Sequence, residues 1–144
     1  MKKRNLLTAL AVAAAEISAP VEAKEAVSHF TVSELTRSAT AVKMNIDNTP
    51  PPELVDNIRR LIDKVLDPAR ESLGRPVYVN SGYRCEELNR AVGGVAKSYH
   101  LQGRAADLDT GSRQENLRLW RILRDLPHVE LICEHGGAWI HVAY

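Results

Sequence analysis

Ser98-Tyr-His100-Leu-Gln-Gly103-Arg-Ala105-Ala-Asp107-Leu-Asp109 places an imidazole, a glycine and a carboxylate in one short stretch, and its second half alternates like a strand. Small residues around Asp107 let something bulky or charged approach closely. By alternation Asp107 shares a face with Ala105 and Asp109, opposite Ala106 and Leu108. Immediately downstream, residues 112–126 predict an amphipathic helix with Leu117, Trp120, Ile122, Leu123 and Leu126 as core residues. Ser112 and Glu115 form its capping box.

The end of the chain completes the pattern. Val129 to Glu134 and Ala138 to Tyr144 read as two strands around His135-Gly136-Gly137, which predicts a hairpin. If Gly136 and Gly137 are the loop, Glu134 lies opposite Trp139 and Ile132 opposite His141, so Glu134, Trp139 and His141 point to one face. A slip of one residue would put His135 in the place of Glu134.

Upstream, residues 52–70 carry Leu54, Val55, Ile58, Leu61, Ile62, Val65 and Leu66 at helical spacing, an apolar stripe that calls for a sheet to cover. Residues 77–79 predict a short strand ended by Ser81-Gly82, with Arg84 just beyond it. A short helix over 86–92 is stopped by Gly93-Gly94. Nearer the start, Thr31 or Ser33 can cap a short helix, and residues 45–52, with three consecutive prolines, must run extended.

A chain of 144 residues with 44% hydrophobic and 26% charged residues has the composition of one globular domain. Its 19 basic and 18 acidic side chains leave a formal charge of +1, too little to attract a polyanion, so no nucleic-acid partner is expected. The start reads as an export address: Lys2, Lys3 and Arg4, then an apolar run over 6–15, then small residues near Ala23. The expected division is therefore a signal peptide over 1–23 and one domain over 24–144, with no integral membrane span in the mature chain. An amphipathic helix packed on the domain is the other reading of that run. Cys85 and Cys133 could pair or remain two thiols, and the sequence leaves both open.

His100, Asp107 and His141 offer two imidazoles and one carboxylate, a donor set suited to zinc with one position left open. A zinc ion so held would be Lewis-acidic enough to activate water and polarise a carbonyl. Glu134, on the same face as His141, is the candidate catalytic base, with His135 in reserve. Arg84 could clamp a substrate carboxylate or stabilise an oxyanion. Ser98 and Trp139 are candidates for lining the substrate site, although Trp139 could equally be core. Serine catalysis is poorly supported, since neither Ser81 nor Ser98 lies in a nucleophile-elbow context.

Ser98-Tyr-His100-Leu-Gln-Gly103-Arg-Ala105-Ala-Asp107, followed by Trp139-Ile-His141 and preceded by Ser81-Gly82-Tyr83-Arg84, resembles the M15 zinc metallopeptidase family. That family includes D-Ala-D-Ala carboxypeptidases and endolysin-like peptidases, and the likeness to its small single-domain branch runs from Ser28 to Tyr144. The resemblance implies an α+β class, helices packed against a small antiparallel sheet in a Hedgehog/DD-peptidase-like fold, with zinc on the sheet held by His100, Asp107 and His141, and Arg84 near the substrate. It further implies hydrolysis of peptide bonds in peptidoglycan stem peptides, of carboxypeptidase or endopeptidase type; the protein is expected to be an exported monomer. Many members carry an acidic base three residues before the last histidine, where this chain has Ala138. Ala138 leaves Glu134 as the candidate base and motivates a rival reading, a catalytically inactive, zinc-stabilised module that binds cell wall.

Overall fold

A computed structural model describes residues 28–144. The export segment expected over 1–23 lies outside the described residues. Among those described, no helix is long and apolar enough to cross a membrane.

Two short helices come first, α1 (Val32–Thr36) and α2 (Ala39–Lys43). Thr31 caps α1 by accepting from the amide of Glu34, as the sequence suggests. Ser38 caps α2, an element not anticipated from the pattern. The proline-rich connection runs extended into α3 (Pro52–Leu61), which continues through a wider π-type turn (Ile62–Leu66) into α4 (Asp67–Leu73). The predicted helix over 52–70 is thus one longer rod with a widened turn inside it. The widening falls directly before Pro68, which has no amide to donate, and Asp67 bonds back to the carbonyl of Ile62 instead of following the regular ladder. Gly74, at φ 71°, ends the rod in the left-handed conformation.

The sheet has four antiparallel strands, β1 (Tyr78–Ser81), β2 (Ala105–Asp109), β3 (Glu130–Glu134) and β4 (Trp139–Ala143), in the order β1-β2-β4-β3. Helix α5 (Glu86–Ala91) and a single 3-10 turn (Tyr99–Gln102) lie between β1 and β2, and α6 (Arg113–Arg124) lies between β2 and β3. Two-residue alternation divides the sheet into two unlike faces. Ala106, Leu108, Ile140 and Val142 are buried against Ile58, Leu61, Val65, Leu119 and Leu123, while Leu131 and Cys133 pack at the margin of that core. Each fully buried leucine or isoleucine contributes roughly 2 kcal/mol of apolar burial. The opposite face carries Asp107 and His141, which stand directly across from each other in the β2–β4 register.

The hairpin has the predicted register, with Glu134 paired to Trp139 and Ile132 to His141. Its loop differs from the expected two residues. His135, Gly136 and Gly137 all have positive φ, and the amides of Gly137 and Ala138 both bond to the carbonyl of Glu134. The loop is therefore four residues long, extended by one residue on each side of the glycine pair, and the strand pairing is unchanged.

Two details of α6 also depart from expectation. Leu119 and Asn116 take the innermost positions alongside Leu123, while Trp120 is only half-buried, with the guanidinium of Arg124 over its ring. Cys85 and Cys133 are both free thiols; Cys85 caps α5, its sulfur accepting from the amide of Leu88.

Candidate metal centre

His100 is delivered by the 3-10 turn, which exists because Ser98 Oγ accepts from the amide of His100 and Gly103 closes the turn at φ 66°. Asp107 comes from the middle of β2 and His141 from β4. One potential ligand atom from each of the three lies within 4.8 Å of the others. His100 Nε2 is 3.3 Å and His141 Nδ1 2.8 Å from the same oxygen, Asp107 Oδ1. Zinc bonds of about 2.0–2.1 Å in tetrahedral array imply ligand-to-ligand edges of roughly 3.3 Å. The donor set and its spacing thus fit such an ion.

Each ring is held by its other nitrogen. His100 Nδ1 donates to the carbonyl of Gly82 at 2.7 Å, which turns Nε2 toward Asp107. His141 Nε2 lies 2.5 Å from Glu130 Oε1, and the rings sit with centroids 5.2 Å apart. Gly82 can be nothing larger: a Cβ there would lie 2.2 Å from the carbonyl oxygen of Leu35.

Arg84 enters from beyond the end of β1. Its Nε donates to Ser81 Oγ at 2.9 Å, Nη1 to Asn89 Oδ1 at 3.1 Å, and Nη2 reaches Asp107 Oδ2 at 3.5 Å. Three of its five N–H groups are thereby engaged, and two remain for a ligand. Buried Asn89, which also donates to the carbonyl of Val95, anchors the loop that carries Gly93 and Gly94 to one wall of the site.

Burial works against the charge on Asp107, but hydrogen bonds from His100 and His141, with their charge, outweigh it and hold the carboxyl well below the ordinary carboxylate range. Burial likewise works against protonation of His141, yet the hydrogen bonds and charges of Asp107 and Glu130 raise its pKa. For Arg84 burial prevails over the attraction of Asp107, and the guanidinium is lowered.

These groups open into a cleft of about 420 Å³ whose walls include Glu134, Trp139, Ser98 and Lys97. Every site residue expected from the sequence therefore borders one cavity. Trp139 borders it rather than filling the core, with His135 packed on its ring at 4.8 Å. His135 is itself exposed and turned outward by the loop, and is not among the residues lining the cleft.

Sequence reasoning missed Glu130, Gly82 and Asn89. The alternation that selected Glu134 also places Glu130 on the cleft face, since both lie two residues from Ile132 along β3. Gly82 acts through contacts with His100 and Leu35, distant in sequence, and Asn89 through bonds to Arg84 and Val95 that helical periodicity does not record.

The family model described as peptidase M15 matches residues 28–143, most of the chain. A zinc D-Ala-D-Ala carboxypeptidase of Streptomyces albus G is 43% identical over 49 residues, a match taking in 33% of this chain and 19% of that relative's length. With the family match extending across all but the last of the described residues, and the group of His100, Asp107 and His141 and the adjoining cleft lying inside it, the chain belongs to the peptidase M15 family.

Proposed function

We propose that this chain is a zinc-dependent peptidase acting on peptidoglycan stem peptides, as a D,D-carboxypeptidase or an endopeptidase. The observation that carries the reading is the convergence of His100, Asp107 and His141 at the floor of a cleft that Arg84 and Glu134 also border. The distant zinc D-Ala-D-Ala carboxypeptidase relative supports the substrate class.

Zinc held by the three residues supplies a Lewis acid that polarises a scissile carbonyl and acidifies water. Arg84, fixed on three sides, presents its remaining N–H groups to a substrate carboxylate or to the developing oxyanion. Glu134 takes the proton of the attacking water and passes it to the leaving amine. Trp139 walls the cleft beside it, and Ser98 holds the turn that carries His100. The substrate lies outside the cell membrane, in keeping with the export address read over residues 1–23.

The rival, a wall-binding module without turnover, rests on Ala138. A carboxylate bordering the same cleft from β3 favours turnover instead. Purified sacculi incubated with the zinc-loaded protein are expected to release terminal D-amino acids or new amino termini, and a chelator is expected to stop the release. Glu134→Gln should retain zinc and lose 10²- to 10⁴-fold in rate, the usual range for removing a general base. Binding to sacculi without any release would favour the module, and an unchanged rate in Glu134→Gln would remove that residue from the mechanism.

A further inference from the structure

Resting on the metal-site reading above, we infer that Glu130 is a positioning residue: by accepting the Nε2 proton of His141, it selects Nδ1 as the nitrogen that meets the metal. A neutral imidazole carries one proton, and which nitrogen bears it is set by the hydrogen bond the other makes. For His100 the choice is made by a backbone carbonyl, that of Gly82, which can only accept. For His141 both nitrogens face carboxylate oxygens, Glu130 Oε1 at 2.5 Å from Nε2 and Asp107 Oδ1 at 2.8 Å from Nδ1. Asp107 also lies 3.3 Å from His100 Nε2, so its oxygen belongs to the side where the three donors converge. Glu130 meets the far nitrogen of the ring and stands outside that group of donors. The two imidazoles consequently present opposite nitrogens, Nε2 from His100 and Nδ1 from His141, each backed by one acceptor.

The placement follows from register. Glu130 pairs with Ala143, while Ile132 pairs with His141, so Glu130 is the diagonal neighbour of His141 on the cleft face. Glu134 is the opposite diagonal neighbour, beside Trp139. β3 thus carries two carboxylates with separate duties, one that holds a ligand and one that borders the cleft where substrate would lie. Among the described residues no other side chain hydrogen-bonds His141 Nε2.

The test is zinc affinity, measured by competition with a chromophoric chelator, in the wild-type chain, Glu130→Ala and Glu130→Gln. Glu130→Ala should bind zinc 10- to 100-fold more weakly, the usual cost of losing the partner of a ligating histidine. Glu130→Gln should recover most of that loss, because an amide oxygen still accepts the Nε2 proton. Ring-nitrogen NMR of the zinc-loaded proteins should show one histidine bound through Nδ1 and one through Nε2 in the wild type and in Glu130→Gln. In Glu130→Ala the pattern of Nδ1 ligation should weaken or vanish. Undiminished zinc affinity in Glu130→Ala, or equal losses in both variants, would overturn the inference while leaving the metal site standing. Failure of the wild-type chain to take up zinc would instead overturn the metal-site reading itself, and the role of Glu130 with it.

Discussion

Gly82 shows how much of the site depends on one atom that is absent. Its carbonyl fixes His100, and its missing side chain lets the backbone pass against the carbonyl of Leu35, to which the amide of Tyr83 also bonds. Gly82→Ala must therefore push a strand end away from α1 and carry the acceptor of His100 Nδ1 with it. A loss of about 1–3 kcal/mol in stability is expected from this overpacking. Zinc affinity should fall in the same variant. Gly74→Ala is the control, because its φ of 71° penalises a side chain but nothing lies within 4 Å of the added carbon. There about 1 kcal/mol should be lost, as for any left-handed non-glycine residue, with zinc binding untouched. Urea denaturation and a zinc titration on the two variants separate these outcomes.

The hairpin is the element that the sequence describes best, and the reason is its period. Alternation and a glycine pair suffice to place Glu134, Trp139 and His141 on one face, and the observed register agrees. The same rule applied two residues further along would have found Glu130. What alternation could not reveal is what holds the hairpin in place. Asn116, buried in α6, donates to the carbonyls of Gly137 and Ala138 and to Asp109 Oδ1, and accepts from the amide and hydroxyl of Thr110. Asn48 does the same near Arg84, joining Thr36 and Tyr83 carbonyls to the amide of Cys85. Both asparagines bridge segments far apart in sequence; an amphipathic reading treats a polar helix residue such as Asn116 as solvated, and Asn48 lies in a connection that has no periodicity to read. The π-type turn before Pro68 was illegible for a related reason: helical periodicity counts apolar positions and overlooks a missing amide. Asn116→Ala should cost about 3 kcal/mol, at the upper end for stranding buried polar groups. Asn116→Asp should not rescue it, since a carboxylate keeps the acceptors for Thr110 but loses the donors to the hairpin and faces Asp109. Hydrogen exchange resolved by segment should show the loss of protection concentrated in residues 130–143, and a uniform loss would assign Asn116 no special hold on that element.

At the scale of the whole molecule, the proposed metal centre would tie folding to protons. In the zinc-free chain, Asp107 has a folded pKa below its ordinary 3.8, so its contribution is present above about pH 4 and is lost as pH falls through the folded value. His141 is raised above 6.5 by the two carboxylates that flank it. Its contribution is complete below about pH 6.5 and is lost as pH rises through the folded pKa. Together they give the zinc-free protein its greatest stability between about pH 4 and 6.5 and a decline on either side. Zinc held as proposed should reverse the alkaline limb, because ligation would need a deprotonated Nδ1 and would displace the very proton whose loss is destabilising. Thermal melts from pH 5.5 to 8.5 should therefore diverge, with Tm falling as pH rises in chelator and holding or rising in saturating zinc, so that the zinc-induced increment grows with pH. His141→Gln should abolish the divergence by removing the titrating ligand. Parallel curves with and without zinc in the wild-type chain would mean that His141 does not exchange a proton for the metal, and that the cluster joining β2, β4 and the 3-10 turn stabilises the fold through its internal hydrogen bonds alone.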